Sequence, residues 1–201
     1  MQNTRAGKVK TLLGSLALLA STPASAAPMM TVMGATSAPI GFVEFCARTP
    51  AECQGRTAQP TVVQLGENSW RELLAINDHV NQTIYPVTDY DMFGQVEVWS
   101  YPQGGRGDCE DYVLLKRRML IERGWPESAL LITVVRQENG EGHAVLTVRT
   151  DRGDFILDNL VAPVRRWDET RYSFIKRQSE FDVGVWASIS DTRAPVVGAI
   201  R

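Results

Sequence analysis

The positions Trp70, Leu73, Leu74, Asn77, Val80 and Ile84 follow the three- and four-residue spacing of one helix face. Asn68 can cap that helix, and Tyr85-Pro86 ends it. A second helix is predicted from about Cys109 to Arg123, with Cys109, Val113 and Leu120 on one face and Gly124 as its stop. Asp108 suits its N-cap, and Asp111 three residues on makes a weak capping box. The period then changes. Leu130 to Arg136, Ala144 to Arg149 and Phe155 to Leu157 read as strands, joined by two hairpin turns, 138–142 and 151–154. Tyr172 to Ile189 adds strands or packing through Phe174, Phe181 and Trp186. Residues 27–39 read as a loose arm, 54–60 as loop and 87–106 as mostly irregular. Helices first and antiparallel strands after predict an α+β domain in which a central helix packs on an antiparallel sheet.

The start of the chain belongs to a different physical class. Arg5, Lys8 and Lys10 precede a short apolar run from Leu12 to Ala20, and Pro23-Ala24-Ser25-Ala26 supplies the small residues of a cleavage site. This predicts a secretory signal peptide over 1–26, with a single domain over 27–201. The apolar run is too short to span a bilayer, and nothing later is long and apolar enough. A periplasmic or secreted protein is expected, with no membrane span after cleavage. Residues 1–26 hold three basic and no acidic side chains, so the formal charge moves from −2 to −5 on cleavage. An acidic domain without a basic cluster is a poor ligand for nucleic acid.

Export gives the three cysteines meaning, because an oxidising compartment leaves one of three unpaired. Cys46 and Cys53 lie close in sequence, with Pro50 able to bend the segment between them, and are expected to pair; two buried free thiols are the alternative. Cys109 is then the free thiol. In the first turn of a helix it meets unpaired N–H groups and the positive end of the helix dipole, which favour thiolate. His143 follows in one strand-like run and Asp158 at the end of another. Nucleophile, base and orienting carboxylate are the parts that acyl-transfer catalysis through a thioester requires. The backbone N–H of Cys109 is one natural oxyanion donor, and the Trp99 indole N–H is a candidate for the second. His79 falls in the polar register of the first helix and reads as a surface residue.

These residues reach a known family. Gly107-Asp108-Cys109-Glu110-Asp111-Tyr112, followed by Leu115-Lys116-Arg117, resembles the bacterial transglutaminase-like cysteine proteinases. So do His143-Ala144-Val145-Leu146, Leu157-Asp158-Asn159-Leu160, Val80-Asn81, Asp91 to Gly94, Trp99 and the Phe45-Cys46…Cys53 start. The resemblance implies a papain-like, transglutaminase-type core with Cys109, His143 and Asp158 as triad. It further implies a periplasmic endopeptidase whose protein substrate is a large surface adhesin of a biofilm, and an inner-membrane regulatory receptor as partner. No organic cofactor is implied. Calcium is, bound by acids around the cysteine.

Charge leads to calcium by its own route. Asp108, Glu110 and Asp111 surround Cys109 with three carboxylates, which oppose the dipole and disfavour thiolate. Calcium takes six to eight oxygen ligands and would cancel that charge; simple helix capping is the competing reading of the acids. Two other functions fit the same residues. One is transglutaminase or amidase chemistry with the same triad, and the other is a non-catalytic calcium-dependent binding module.

Overall fold

The structure, a computed structural model, describes residues 27–193; the expected signal peptide lies outside them. Nine strands and four α-helices occur among the described residues. Strand β1 (Val32–Thr36) and helix α1 (Ile40–Arg48) come first. The long helix α2 (Glu67–Thr83), the short strand β2 (Tyr85–Pro86), helix α3 (Asp89–Phe93) and strand β3 (Arg106–Gly107) follow. Helix α4 (Cys109–Glu122) leads into strands β4 (Leu130–Arg136), β5 (Gly142–Thr150) and β6 (Gly153–Leu157). The chain finishes with β7 (Arg165–Arg166), β8 (Ser173–Gln178) and β9 (Trp186–Ile189).

Seven strands form one antiparallel sheet in the order β1-β9-β8-β4-β5-β6-β7. Two-residue alternation divides its side chains between two layers. Leu130, Ile132, Ala144, Leu146, Val148 and Leu157 join Val113, Leu114, Leu120, Leu73 and Ile76 of α4 and α2 in the larger core. Val135, Val145 and Ile156 point to the other layer, with Met30, Trp167, Phe174 and Ile189. The expected α+β architecture is what the chain adopts, with α4 as the helix laid on β5.

Several expectations change in detail. The arm over 27–39 contains β1, which the sheet creates by pairing it with β9; its own exposure pattern carries no alternation. The 87–106 segment contains α3, capped by the Thr88 hydroxyl on the Asp91 N–H at 3.2 Å. Helix α2 starts after Gly66, whose N–H donates to Ser69 Oγ at 2.9 Å, while Asn68 accepts from Arg71. Cys46 and Cys53 are disulfide-bonded, with Cα atoms 5.7 Å apart, and Cys109 is the free cysteine. No helix among the described residues is long and apolar enough to cross a membrane.

Candidate active site

The first turn of α4 is fastened before its chemistry begins. Strand β3 pairs in parallel with β2, and Val87 N–H donates to the Gly107 carbonyl at 3.0 Å. The Tyr112 hydroxyl donates to the Ile84 carbonyl at 2.6 Å, tying α4 to the end of α2. Gly107 admits no side chain: a Cβ there would lie 2.5 Å from Asp111 Oδ2. These constraints fix where Cys109 stands relative to β5.

His143 and Asp158 meet for a reason the register supplies. Leu146 pairs with Leu157, so Asp158, one residue past β6, falls opposite Val145 and on the same face. His143 is two residues from Val145 on that face, which makes it the diagonal neighbour of Asp158. The resulting contact is 2.8 Å between His143 Nε2 and Asp158 Oδ1, with both side chains buried. Asp158 also accepts from the Tyr172 hydroxyl at Oδ2 (2.5 Å) and from the Leu160 N–H at Oδ1 (2.9 Å). Asn81 Nδ2 holds the Asp158 backbone carbonyl at 2.8 Å. Burial alone would raise the Asp158 carboxyl, but the hydrogen bond and charge of His143, with those from Tyr172 and Leu160, outweigh it and hold it below its ordinary value. An ionised carboxylate can only accept, so the imidazole proton sits on Nε2 and Nδ1 is left as the basic nitrogen.

The thiol has a different neighbour. Cys109 Sγ lies 3.0 Å from Glu110 Oε2. Burial, then the charge and hydrogen bond of Glu110, push the thiol well above its ordinary value, and Asp108 adds to this; a hydrogen bond from the Ala144 N–H, next to His143, works the other way. Burial and Asp108 likewise raise Glu110, to about 9. In a metal-free site burial, with the acids adding to it, keeps the thiol protonated at neutral pH.

The acid cluster extends beyond the sequence-based set by one residue, Asp89. Asp89, Asp108 and Asp111 bring carboxylate oxygens within 4.8 Å of one another, whereas Glu110 turns to the thiol. Asp89 enters through the start of α3, which sequence reasoning treated as irregular chain. Asp108 makes no side-chain capping bond, although it occupies the N-cap. Burial, then Asp89, pushes Asp108 up to about 6. Burial raises Asp111 to about 7 even though Ser100 N–H donates to its Oδ1 at 2.9 Å. Asp89 Oδ1, Asp108 Oδ1 and Asp111 Oδ2 are all buried without a hydrogen-bond partner. Three converging carboxylates, each with a buried oxygen that lacks a partner, are hard donors that fit a calcium-sized cation.

Trp99 is deeply buried. Its indole N–H is directed to Glu97 Oε2 at 3.4 Å, and its ring packs edge-on to Phe42 and Trp186. A Cβ at Gly41 would lie 2.4 Å from its Cδ1, so the ring is walled in. His79 is exposed, as its helix register implied.

Tyr172 was not foreseen, because its role depends on β8 pairing beside β4. Its ring centroid is 5.6 Å from that of His143, and burial, then the Asp158 hydrogen bond, raise its hydroxyl so that it remains a donor. Tyr172→Phe is expected to lower kcat for peptide cleavage by about tenfold or more with KM little changed, the size of one charge-assisted hydrogen bond. An unchanged kcat in a folded variant would make Tyr172 a packing residue only.

A family model described as bacterial transglutaminase-like cysteine proteinase matches residues 32–194. Among curated proteins, none matches the chain. Among solved structures, Legionella pneumophila LapG is 25% identical, covering 59% of this chain and 68% of that one, with a TM-score of 0.50. Its calcium-bound form is 20% identical over 74% and 90% of the two chains, at a TM-score of 0.52, a likeness of fold. An EGTA-treated form is 23% identical over 63% and 74%, at 0.50. Spanning nearly all the described residues, the family match places the chain among the bacterial transglutaminase-like cysteine proteinases, which are cysteine peptidases.

Proposed function

We propose that this chain is an exported, calcium-dependent endopeptidase acting on a bacterial surface protein such as a biofilm adhesin, with Cys109, His143 and Asp158 as its triad. The observation that carries the reading is the buried His143–Asp158 pair, whose histidine stands on β5, the strand on which α4 packs with Cys109 in its first turn. His143 Nδ1 takes the thiol proton, and Sγ attacks the scissile carbonyl carbon. The tetrahedral oxyanion is met by the Cys109 backbone N–H, one of the unpaired first-turn amides of α4. His143 returns its proton to the departing amine as the C–N bond breaks, leaving a thioester on Sγ. It then deprotonates a water that attacks the thioester carbon, and the proton goes back to Sγ as the acid leaves. Asp158 holds the imidazole orientation throughout and stabilises the imidazolium.

Asp89, Asp108 and Asp111 would hold the cation, with further oxygens from backbone or water. When bound, calcium would offset the acidic charge that adds to burial in keeping the thiol protonated. The LapG likeness supports this, since that protein has been captured both calcium-bound and after EGTA treatment. Export is supported by the signal-like start and by the Cys46–Cys53 disulfide. An adhesin substrate and a regulatory receptor at the inner membrane rest on the family resemblance alone.

The test is cleavage of exported bacterial surface proteins, together with iodoacetamide labelling of Cys109, in EGTA and after calcium is added back at matched ionic strength. Calcium is expected to raise both by about tenfold or more, as one pK unit of thiol shift would. Asp89→Asn and Asp111→Asn should each weaken this response. Equal rates with and without calcium would reduce the acids to structural residues. Amine incorporation without peptide cleavage would replace the peptidase reading by transglutaminase chemistry.

A further inference from the structure

A cavity of about 570 Å³ borders the proposed triad on its carboxylate side, where Asp158 and Tyr172 form part of the wall. Its size is that of a site for a side chain or small ligand. The rest of the lining combines two chemistries. Leu160 and Val161, on the loop leaving β6, are 55% and 38% exposed although large and apolar, and with Ile156 they give the cavity an aliphatic side. Arg165 and Arg171 give it a cationic rim. Arg165 is exposed and has no carboxylate within ion-pair distance among the described residues. Arg171 has only Glu138, at 3.6 Å, and both side chains are more than half exposed, so the pair leaves the guanidinium available.

We propose that this cavity is a substrate subsite that takes an aliphatic side chain flanked by an acidic one. The proposal rests on the peptidase reading above and adds the class of sequence that the enzyme selects. Burying an aliphatic group against Leu160 and Val161 removes apolar surface from water on both partners. A neighbouring carboxylate reaches Arg165 or Arg171, where the planar guanidinium offers paired donors. A lysine in that place would meet two like charges. The tyrosine that holds Asp158 is one wall of the subsite, so a bound chain is anchored next to the groups that do the chemistry. An acidic protein that carries two exposed arginines at one rim has placed its attraction for carboxylates locally, against its overall charge.

The experiment compares peptides carrying Leu-Glu, Leu-Lys, Ser-Glu and Ser-Lys pairs at each position around the scissile bond, in calcium. For one position, kcat/KM for Leu-Glu is expected to exceed that for Leu-Lys by about tenfold, the combined effect of a gained attraction and a relieved repulsion at an exposed site. Arg165→Glu should bring that ratio below one, and Val161→Ser should remove the preference for Leu over Ser. Neither variant should change the iodoacetamide labelling rate of Cys109, since neither residue belongs to the catalytic machinery. Equal kcat/KM for Glu and Lys peptides, or a ratio unmoved by Arg165→Glu, overturns the subsite. If the unaltered protein cleaves none of the peptides, the peptidase reading is what fails, and binding of the same peptides to Cys109→Ala then decides the subsite. Leu-Glu selectivity lost in the Cys109→Ala, Arg165→Glu double variant upholds it, and binding without selectivity overturns it.

Discussion

His143→Ala is expected to lower kcat/KM for peptide cleavage by about two to four orders of magnitude, the range associated with a positioned general acid–base. The loss should be almost entirely in kcat, because the imidazole acts on protons that move in the transition state and adds little to ground-state binding. Asp158→Asn should cost about a hundredfold or more for a related reason. The present contact lets a carboxylate accept from Nε2–H at 2.8 Å and so leaves Nδ1 basic. An amide in that place can present its NH2 to the ring instead, which favours the opposite tautomer and puts the proton on the nitrogen that has to accept one. It also removes the charge that stabilises the imidazolium. The two effects should not add in the double variant, since both changes disable one unit. Thermal unfolding and the disulfide should be unaffected enough to show a folded protein. Peptidase activity within tenfold of the original in a folded His143→Ala protein would remove the triad reading.

How much of this was legible in the sequence depends on where the determining force acts. Leu130 to Arg136 reads as a strand from its own unbroken apolar run between turn signals, and β4 occupies those residues. Helix α4 was equally plain, since Gly124 adopts a left-handed backbone (φ 86°) just past its end. The spacing of His143 and Asp158 is a hairpin spacing, so the pair could be drawn from the turn at 151–154. Features that need a distant partner were hidden. Strand β1 exists only as the neighbour of β9, at the far edge of the sheet from β7. Tyr172 reaches Asp158 because β8 lies beside β4, a non-local choice that no local pattern announces. Asp89 joins Asp108 and Asp111 because α3 folds back on the start of α4. Proximity in sequence nominated Asp108, Glu110 and Asp111, and could not bring in Asp89 from about twenty residues away. Trp99 carried an N–H donor that sequence could count but not aim.

Lys116→Met is expected to stabilise the protein by several kcal/mol at pH 7 and by much less at pH 10. Lys116 lies on α4 two turns past Cys109 and is fully buried, and its Nζ has no hydrogen-bond partner. The nearest compensation is the Tyr112 ring, whose centroid is 5.9 Å away, at the limit of a useful cation–π contact. Burial pushes the ammonium down to about 7, against the pull of Asp158 and Asp78. The unfolded chain keeps the lysine protonated up to about its ordinary value near 10.4. Between those two values the unfolded state binds more protons, so this group makes stability rise with pH. Below about pH 7 its cost is constant and largest, on the order of 4 kcal/mol from a shift of three to four pK units. A methionine of similar length fills the same space and carries no charge to desolvate. The measurement is the urea unfolding free energy of both proteins in EGTA at several pH values, with the difference taken at each. That difference should shrink steadily from pH 7 to pH 10. A constant difference would mean that Lys116 does not titrate with folding. A less stable Lys116→Met protein at every pH would show instead that the ammonium is paired in solution with Asp158, the carboxylate that opposes its neutralisation.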